Sequence, residues 1–158
     1  MEKRTQVKGG TLLVAFGNDI LGDDAAGLIA ARALKREFGN AVDFVEAAPG
    51  LELLELVEGY DSVLILDSMI TAREPGTVLE FSLEDAPRAA GHSPHYAGLP
   101  EVRAVAAQLG LPWPERVRIL AVEIAPVDEF HEGLSAPVAA ALPDFIRRAR
   151  EILKNAVG

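Results

Sequence analysis

Three stretches of this chain are apolar almost without interruption: Thr11 to Phe16 (TLLVAF), Ser62 to Leu66 (SVLIL) and Val117 to Ile124 (VRILAVEI). A strand with one wet face alternates apolar and polar side chains. A continuous apolar run is covered on both faces, as in a parallel sheet packed between helices. Parallel strands also need crossover connections of a dozen or more residues, usually helical. The pattern therefore predicts an α/β chain: a three-layer sandwich, with a mostly parallel, twisted sheet and helices on both faces.

The segments between the runs agree. Gly17-Asn18-Asp19-Ile20-Leu21-Gly22 is a loop, and Asp23 and Asp24 open a helix that continues to about Phe38. Acidic residues suit a helix start, where exposed amides and the macrodipole favour negative charge. Leu28, Ala31, Leu34 and Phe38 share one face of that helix, and Gly39-Asn40 ends it. Ala41 to Ala47 predicts a second strand, Leu51 to Val57 a helix, and Thr77 to Phe81 a strand after the Pro75-Gly76 turn. Asp67 stands at the C-terminal end of the third strand. A long loop from about Leu83 to Gly98 precedes a helix over Leu99 to Leu109. Ser135 can cap a final helix with Val138, Ala141, Leu142, Phe145, Ile146, Ala149, Ile152 and Leu153 at helical spacing. Pro143 would cost roughly 3 kcal/mol in an ideal helix interior, so either a kink or a helix starting at Pro143 is expected.

Bulk properties narrow the chemistry. The 158 residues suit a single α/β domain spanning 1–158. No apolar run approaches the ~20 residues of a membrane span, and the polar start lacks a signal-peptide core, so the expected location is cytoplasmic with no membrane partner. There is no cysteine, which removes disulfides, thiolate metal sites and cysteine nucleophiles. The net charge of −9, without a basic patch, argues against a nucleic-acid partner.

Topology says where to look. In open doubly wound sheets, ligands bind beyond the C-terminal strand ends where the strand order reverses. If the order begins 2-1-3, the loop after strand one, with Asp19, Asp23 and Asp24, emerges beside Asp67. Asp67 is the more telling, because a carboxylate closing an apolar strand is costly without a partner. Asp23 and Asp24 also fit as helix-start residues, and Asp19 as a solvated loop acid. Of the three histidines, His92 and His95 lie in the long loop, and a loop of that length in a compact domain is often functional. His131 fits the surface. Two Asp and one His suit a borderline or hard divalent ion. The chain has no HExxH zinc motif, no GxSxG elbow, no phosphate loop, and glycines wrongly spaced for a dinucleotide fingerprint.

The stretch Val14-Ala15-Phe16-Gly17-Asn18-Asp19-Ile20-Leu21-Gly22-Asp23-Asp24-Ala25-Ala26-Gly27 resembles the opening motif of the hydrogenase maturation proteases. That motif is an apolar strand, Gly-Asn, a short spacer, paired acids, and a glycine three residues after the second acid. Further similarities follow in order: Leu64-Ile65-Leu66-Asp67, Pro75-Gly76-Thr77, Ser93-Pro94-His95-Tyr96-Ala97-Gly98-Leu99, and Gly133-Leu134-Ser135 with Pro137-Val138. Together they span about residues 11 to 145.

The resemblance implies an endopeptidase that removes a short C-terminal extension from the nickel-loaded precursor of a nickel–iron hydrogenase large subunit. Asp24, Asp67 and His95 would be the catalytic and metal-contacting residues, and the nickel would be the substrate's own. Whether the metal also activates water, and which Asp would act as base, stays open at this point. Asp23 would be a helix cap and a support for the site. Glu46-Ala47-Ala48-Pro49-Gly50 departs from the family's usual Asp-Gly-Gly-Thr segment, so substrate preference is expected to differ. The alternative is a non-catalytic metal- or protein-binding module on the same fold. A peptidyl-tRNA hydrolase, suggested by Gly17-Asn18, lacks its early histidine here, and a spore-protein protease would be longer.

Overall fold

The computed structural model describes residues 9–17, 22–47, 52–83, 85, 99–126 and 133–158. Five strands form one sheet: β1 (Thr11–Phe16), β2 (Asp43–Ala47), β3 (Ser62–Met69), β4 (Val78–Ser82) and β5 (Arg116–Glu123). Among the described residues four helices accompany them: α1 (Ala26–Phe38), α2 (Glu52–Val57), α3 (Leu99–Gln108) and α4 (Ala136–Val157). A 3-10 turn, Gly22–Ala25, leads into α1, and a second, Gly39–Ala41, follows it.

The sheet order is β2-β1-β3-β5-β4, so the expected 2-1-3 beginning is present. β2, β1, β3 and β5 are mutually parallel, and β4 pairs antiparallel with β5 at one edge. The orientation of β4 comes from its connection. After β3 the chain crosses the end of β5, where the Gly76 amide donates to the Glu123 carbonyl and the Glu123 amide to the Thr77 carbonyl. It then returns as β4 on the far side of β5. Gly76 has φ +92°, and a Cβ there would lie 2.6 Å from the Pro137 carbonyl oxygen, so this turn also rests on the start of α4.

Each apolar run supplies both faces. Leu13, Ala15, Leu64, Leu66, Leu120 and Val122 pack with Ala30, Leu34, Phe145, Ala149 and Leu153 of α1 and α4. The intervening residues Leu12, Val14, Val63, Ile65, Ile119 and Ala121 pack with Val57 of α2 in a second cluster. Burying one such Leu, Ile or Phe is worth about 1.5–3 kcal/mol. This two-sided burial leaves those strands no room for polar alternation.

Four expectations need correction. Ala41 belongs to the 3-10 turn rather than to β2. β3 extends three residues beyond Leu66, so Asp67 lies inside the strand and not at its end. The N-cap of α1 is Ala25, and no side chain caps that helix. Helix α4 runs unbroken from Ala136 through Pro143, which excludes a start at Pro143. Pro143 is exposed, and the apolar stripe of Val138, Phe145, Ala149 and Leu153 is buried on the other side. Packing of the stripe outweighs the local penalty of the proline.

Candidate active site

The four parallel strands end on one edge of the sheet, and the chain leaves β1 and β3 there toward different sides. The pairing of β3 with β1 stops at Ala15↔Leu66, whereas its pairing with β5 continues to Met69↔Glu123. This is the topological switch point, where a crevice opens in sheets of this type.

Two glycines let the end of β1 and the start of α1 close on that edge. A Cβ on Gly27 would lie 2.9 Å from the carbonyl oxygens of both Phe16 and Leu66, so the start of α1 sits directly on the ends of β1 and β3. A Cβ on Gly17 would lie 2.4 Å from the Asp24 carbonyl oxygen. No side chain fits at either position without backbone movement. The spacing of Gly17, Asp24 and Gly27 is thus the steric requirement for folding the 3-10 turn over the switch point.

Asp24 and Asp67 meet there through one residue. The Ser68 hydroxyl donates to Asp24 Oδ1 at 2.7 Å, and the Ser68 amide donates to Asp67 Oδ1 at 2.8 Å. Asp67 is fully buried, Ser68 is 6% exposed, and Asp24 is half-buried. A buried carboxylate is tolerated when hydrogen bonds replace its hydration. Ser68 supplies one such bond to each acid and ties the 3-10 turn to β3. Asp67 faces the α2 side of the sheet with Ile65 and Met69, while Ser68 faces the α1 side. The two acids therefore reach the edge from opposite faces.

Asp23 does something other than cap its own helix. Its Oδ1 accepts from the Ser135 amide at 2.6 Å and its Oδ2 from the Ser135 hydroxyl at 2.7 Å. Ser135 is the N-cap residue of α4, so the carboxylate sits at the positive end of that helix, 112 positions away in sequence. Ser135 makes no side-chain cap of its own, because its hydroxyl is turned to Asp23.

A further buried acid ends β5. Glu123 is 1% exposed, and its two oxygens accept from the amide and the hydroxyl of Thr71. Ser68 and Glu123 carry no mark in the sequence, and Ser135, expected there as the cap of the last helix, gives no sign of its pairing with Asp23, since these roles depend on partners brought together only by the fold. The Asp67-Ser68 pair, directly after the apolar run Val63 to Leu66, is the nearest to a signal. His95, Asp19, His92 and His131 lie outside the described residues. Among the described residues no three His, Asp or Glu side chains gather as a metal cage, and no helix is long and apolar enough to cross a membrane.

Such an edge, with two carboxylates each hydrogen-bonded to one serine, suits hydrolysis or contact with a cation. The comparisons with known proteins narrow this. Residues 29–152 match the family model described as hydrogenase maturation protease. The hydrogenase expression/formation protein HupD of Rhizobium leguminosarum bv. viciae is 26% identical over 150 residues, covering 91% of this chain and 74% of that protein. HoxM of Azotobacter vinelandii is 26% identical over 148 residues, with 90% and 71% covered. The hydrogenase maturating endopeptidase HybD from E. coli superimposes with a TM-score of 0.75 at 25% identity, over 92% of this chain and 93% of that one. The [NiFe] hydrogenase maturation protease HybD from Thermococcus kodakarensis shares the fold, with a TM-score of 0.69 at 20% identity over 91% and 99%. The chain belongs to the hydrogenase maturation protease family and is a peptidase that acts in hydrogenase processing.

Proposed function

We propose that this peptidase removes a C-terminal extension from the nickel-loaded precursor of a nickel–iron hydrogenase large subunit, working in the cytoplasm as one domain over residues 1–158. Asp24, Asp67 and His95 contact the precursor's nickel and form the catalytic centre. The observation that carries this reading is the meeting of Asp24 and Asp67 on the two donors of Ser68 at the switch point.

The donor chemistry fits. Carboxylates with an imidazole suit a borderline divalent ion, and the precursor's own ligands complete its coordination, so no full cage is needed on this chain. When present, the nickel supplies Lewis-acid polarisation and a fixed point for docking. The chain's side chains do the rest. Water adds its oxygen to the scissile carbonyl carbon, the C–N bond breaks, and the leaving nitrogen takes up a proton. One of the two carboxylates accepts the proton that the water releases. Ser68 holds both acids in register so that this geometry costs no reorganisation during the reaction.

The test is the intact mass of a large-subunit precursor before and after incubation, with nickel-loaded and nickel-free forms in parallel. Loss of a defined C-terminal peptide from the loaded form alone is expected. Asp24→Asn and Asp67→Asn should abolish that loss in proteins that still fold. Equal cleavage of the nickel-free form would remove the metal from the reading, and full activity of both variants would remove the site.

A further inference from the structure

The loop between β3 and β4 builds a second feature at the same edge. A cleft of about 570 Å³ lies between residues 70–75 and 123–126, within the range of about 300–1,000 Å³ typical of binding pockets. Its walls are apolar, formed by Ile70, Pro75, Ile124, Ala125 and Pro126. Arg73 stands in it as a cation.

Three observations show that Arg73 is held there. Glu123, buried at the floor, spends both oxygens on Thr71. The Arg73 guanidinium donates to the Thr71 hydroxyl at 2.8 Å. Between them Ala72 takes φ +66°, the only positive φ at a non-glycine position among the described residues. A left-handed alanine is disfavoured and persists where the surroundings impose it. The buried acid thus fixes the threonine, and the threonine fixes the arginine, with the backbone bent to allow it.

Arg73 is exposed, and among the described residues no carboxylate lies within ion-pair distance of it. A guanidinium is planar with five donors, and one bond to Thr71 leaves edges that match a carboxylate in a two-pronged pair. Asp67 precedes Met69, the partner of Glu123, by two residues on one strand, so the cleft lies about 7 Å farther along from Asp67. A chain passing Asp67 reaches the cleft within a few residues.

We propose that this cleft is a specificity subsite for the precursor: its apolar walls receive an apolar stretch beside the scissile bond, and Arg73 pairs with an acidic side chain in that stretch. The inference rests on the peptidase reading above. Charge sets the choice of occupant. In a chain of net charge −9 an acidic segment is repelled generally, so a cation at one rim gives that segment a single favourable register. A side chain imposes no fixed extension length, as a terminal carboxylate would.

Steady-state cleavage of a nickel-loaded precursor by wild type, Arg73→Gln and Arg73→Glu tests it. KM should rise roughly tenfold for Arg73→Glu and less for Arg73→Gln, with kcat near wild type, as for an interaction equal in ground and transition states. Changing the Asp and Glu residues flanking the scissile bond to Lys, one at a time, should restore KM to Arg73→Glu for one of them. The glutamine variant keeps the measurement available if the charge reversal impairs folding. An unchanged KM in a folded Arg73→Glu protein overturns the inference while leaving the peptidase reading intact. Rescue only by amidating the precursor's terminal carboxylate also overturns it. No cleavage by folded wild type, by contrast, defeats the peptidase reading and the subsite with it.

Discussion

Ser68 is the smallest unit on which the site depends. Its hydroxyl holds Asp24 and its amide holds Asp67. In Ser68→Ala the amide bond to Asp67 survives, while Asp24 loses a donor at a half-buried position. The cost in stability should be about 1 kcal/mol, the net value of one such bond. The effect on turnover should be larger in proportion, since Asp24 is then free to turn away from the edge. A drop of roughly tenfold or more in kcat with KM little changed is expected, because removal of a positioned group acts on the transition state. Urea unfolding and cleavage kinetics on the same protein separate the two effects. Unaltered kcat would make the serine a purely structural link. Of these residues Asp67 stands out in the sequence, because an acid closing an apolar run is costly without a partner, although its place within the strand does not show there. Ser68 does not stand out, because a serine after a strand is common and its partner Asp24 lies 44 positions away.

At the level of elements, the site is clamped from a third side. Asp23 joins the turn before α1 to the start of α4, and the Pro75-Gly76 turn packs on the same helix start through the Pro137 carbonyl. The sequence suggested that Asp23 caps the helix it precedes, the usual role of an acid in that position. The fold assigns the same electrostatic preference to a different helix end. Local pattern shows that an acid wants exposed amides but not whose amides it finds. A double-mutant cycle on Asp23→Ala and Ser135→Ala should show coupling of about 0.5–3 kcal/mol, as for directly bonded residues. Asp23→Ala should cost more than Ser135→Ala, because the alanine at 135 retains the backbone amide that Asp23 accepts. Additivity of the two changes in urea midpoint would show that the hydroxyl half of the clamp contributes nothing.

For the molecule as a whole, strand order and chemistry are linked. Near-continuous apolar strands require cover on both faces, that cover requires crossovers, and the crossovers in the order 2-1-3 put the ends of β1 and β3 side by side. The parallel core was legible because each of those steps follows from residue pattern. The antiparallel edge strand β4 was not, since five residues beyond a Pro-Gly turn carry no sign of direction. Its direction is set by the loop crossing β5, a contact between distant segments. If this division between scaffold and site is real, stability and chemistry should separate under mutation. Phe145 is fully buried on α4, in the cluster beneath β3 and β5 on the α1 side, and has no polar role. Phe145→Ala should cost about 3–5 kcal/mol, the range for truncating a buried aromatic ring. That is a large part of the 5–15 kcal/mol that holds an ordinary domain folded. Asp67→Asn should show the reverse, losing cleavage with a much smaller change in unfolding midpoint. The comparison requires turnover normalised to the folded fraction at each temperature, obtained from a thermal melt of the same sample. Equal loss of normalised activity in both variants would mean that the edge geometry is not a rigid property of the scaffold, and that packing on α4 is transmitted directly to the carboxylates.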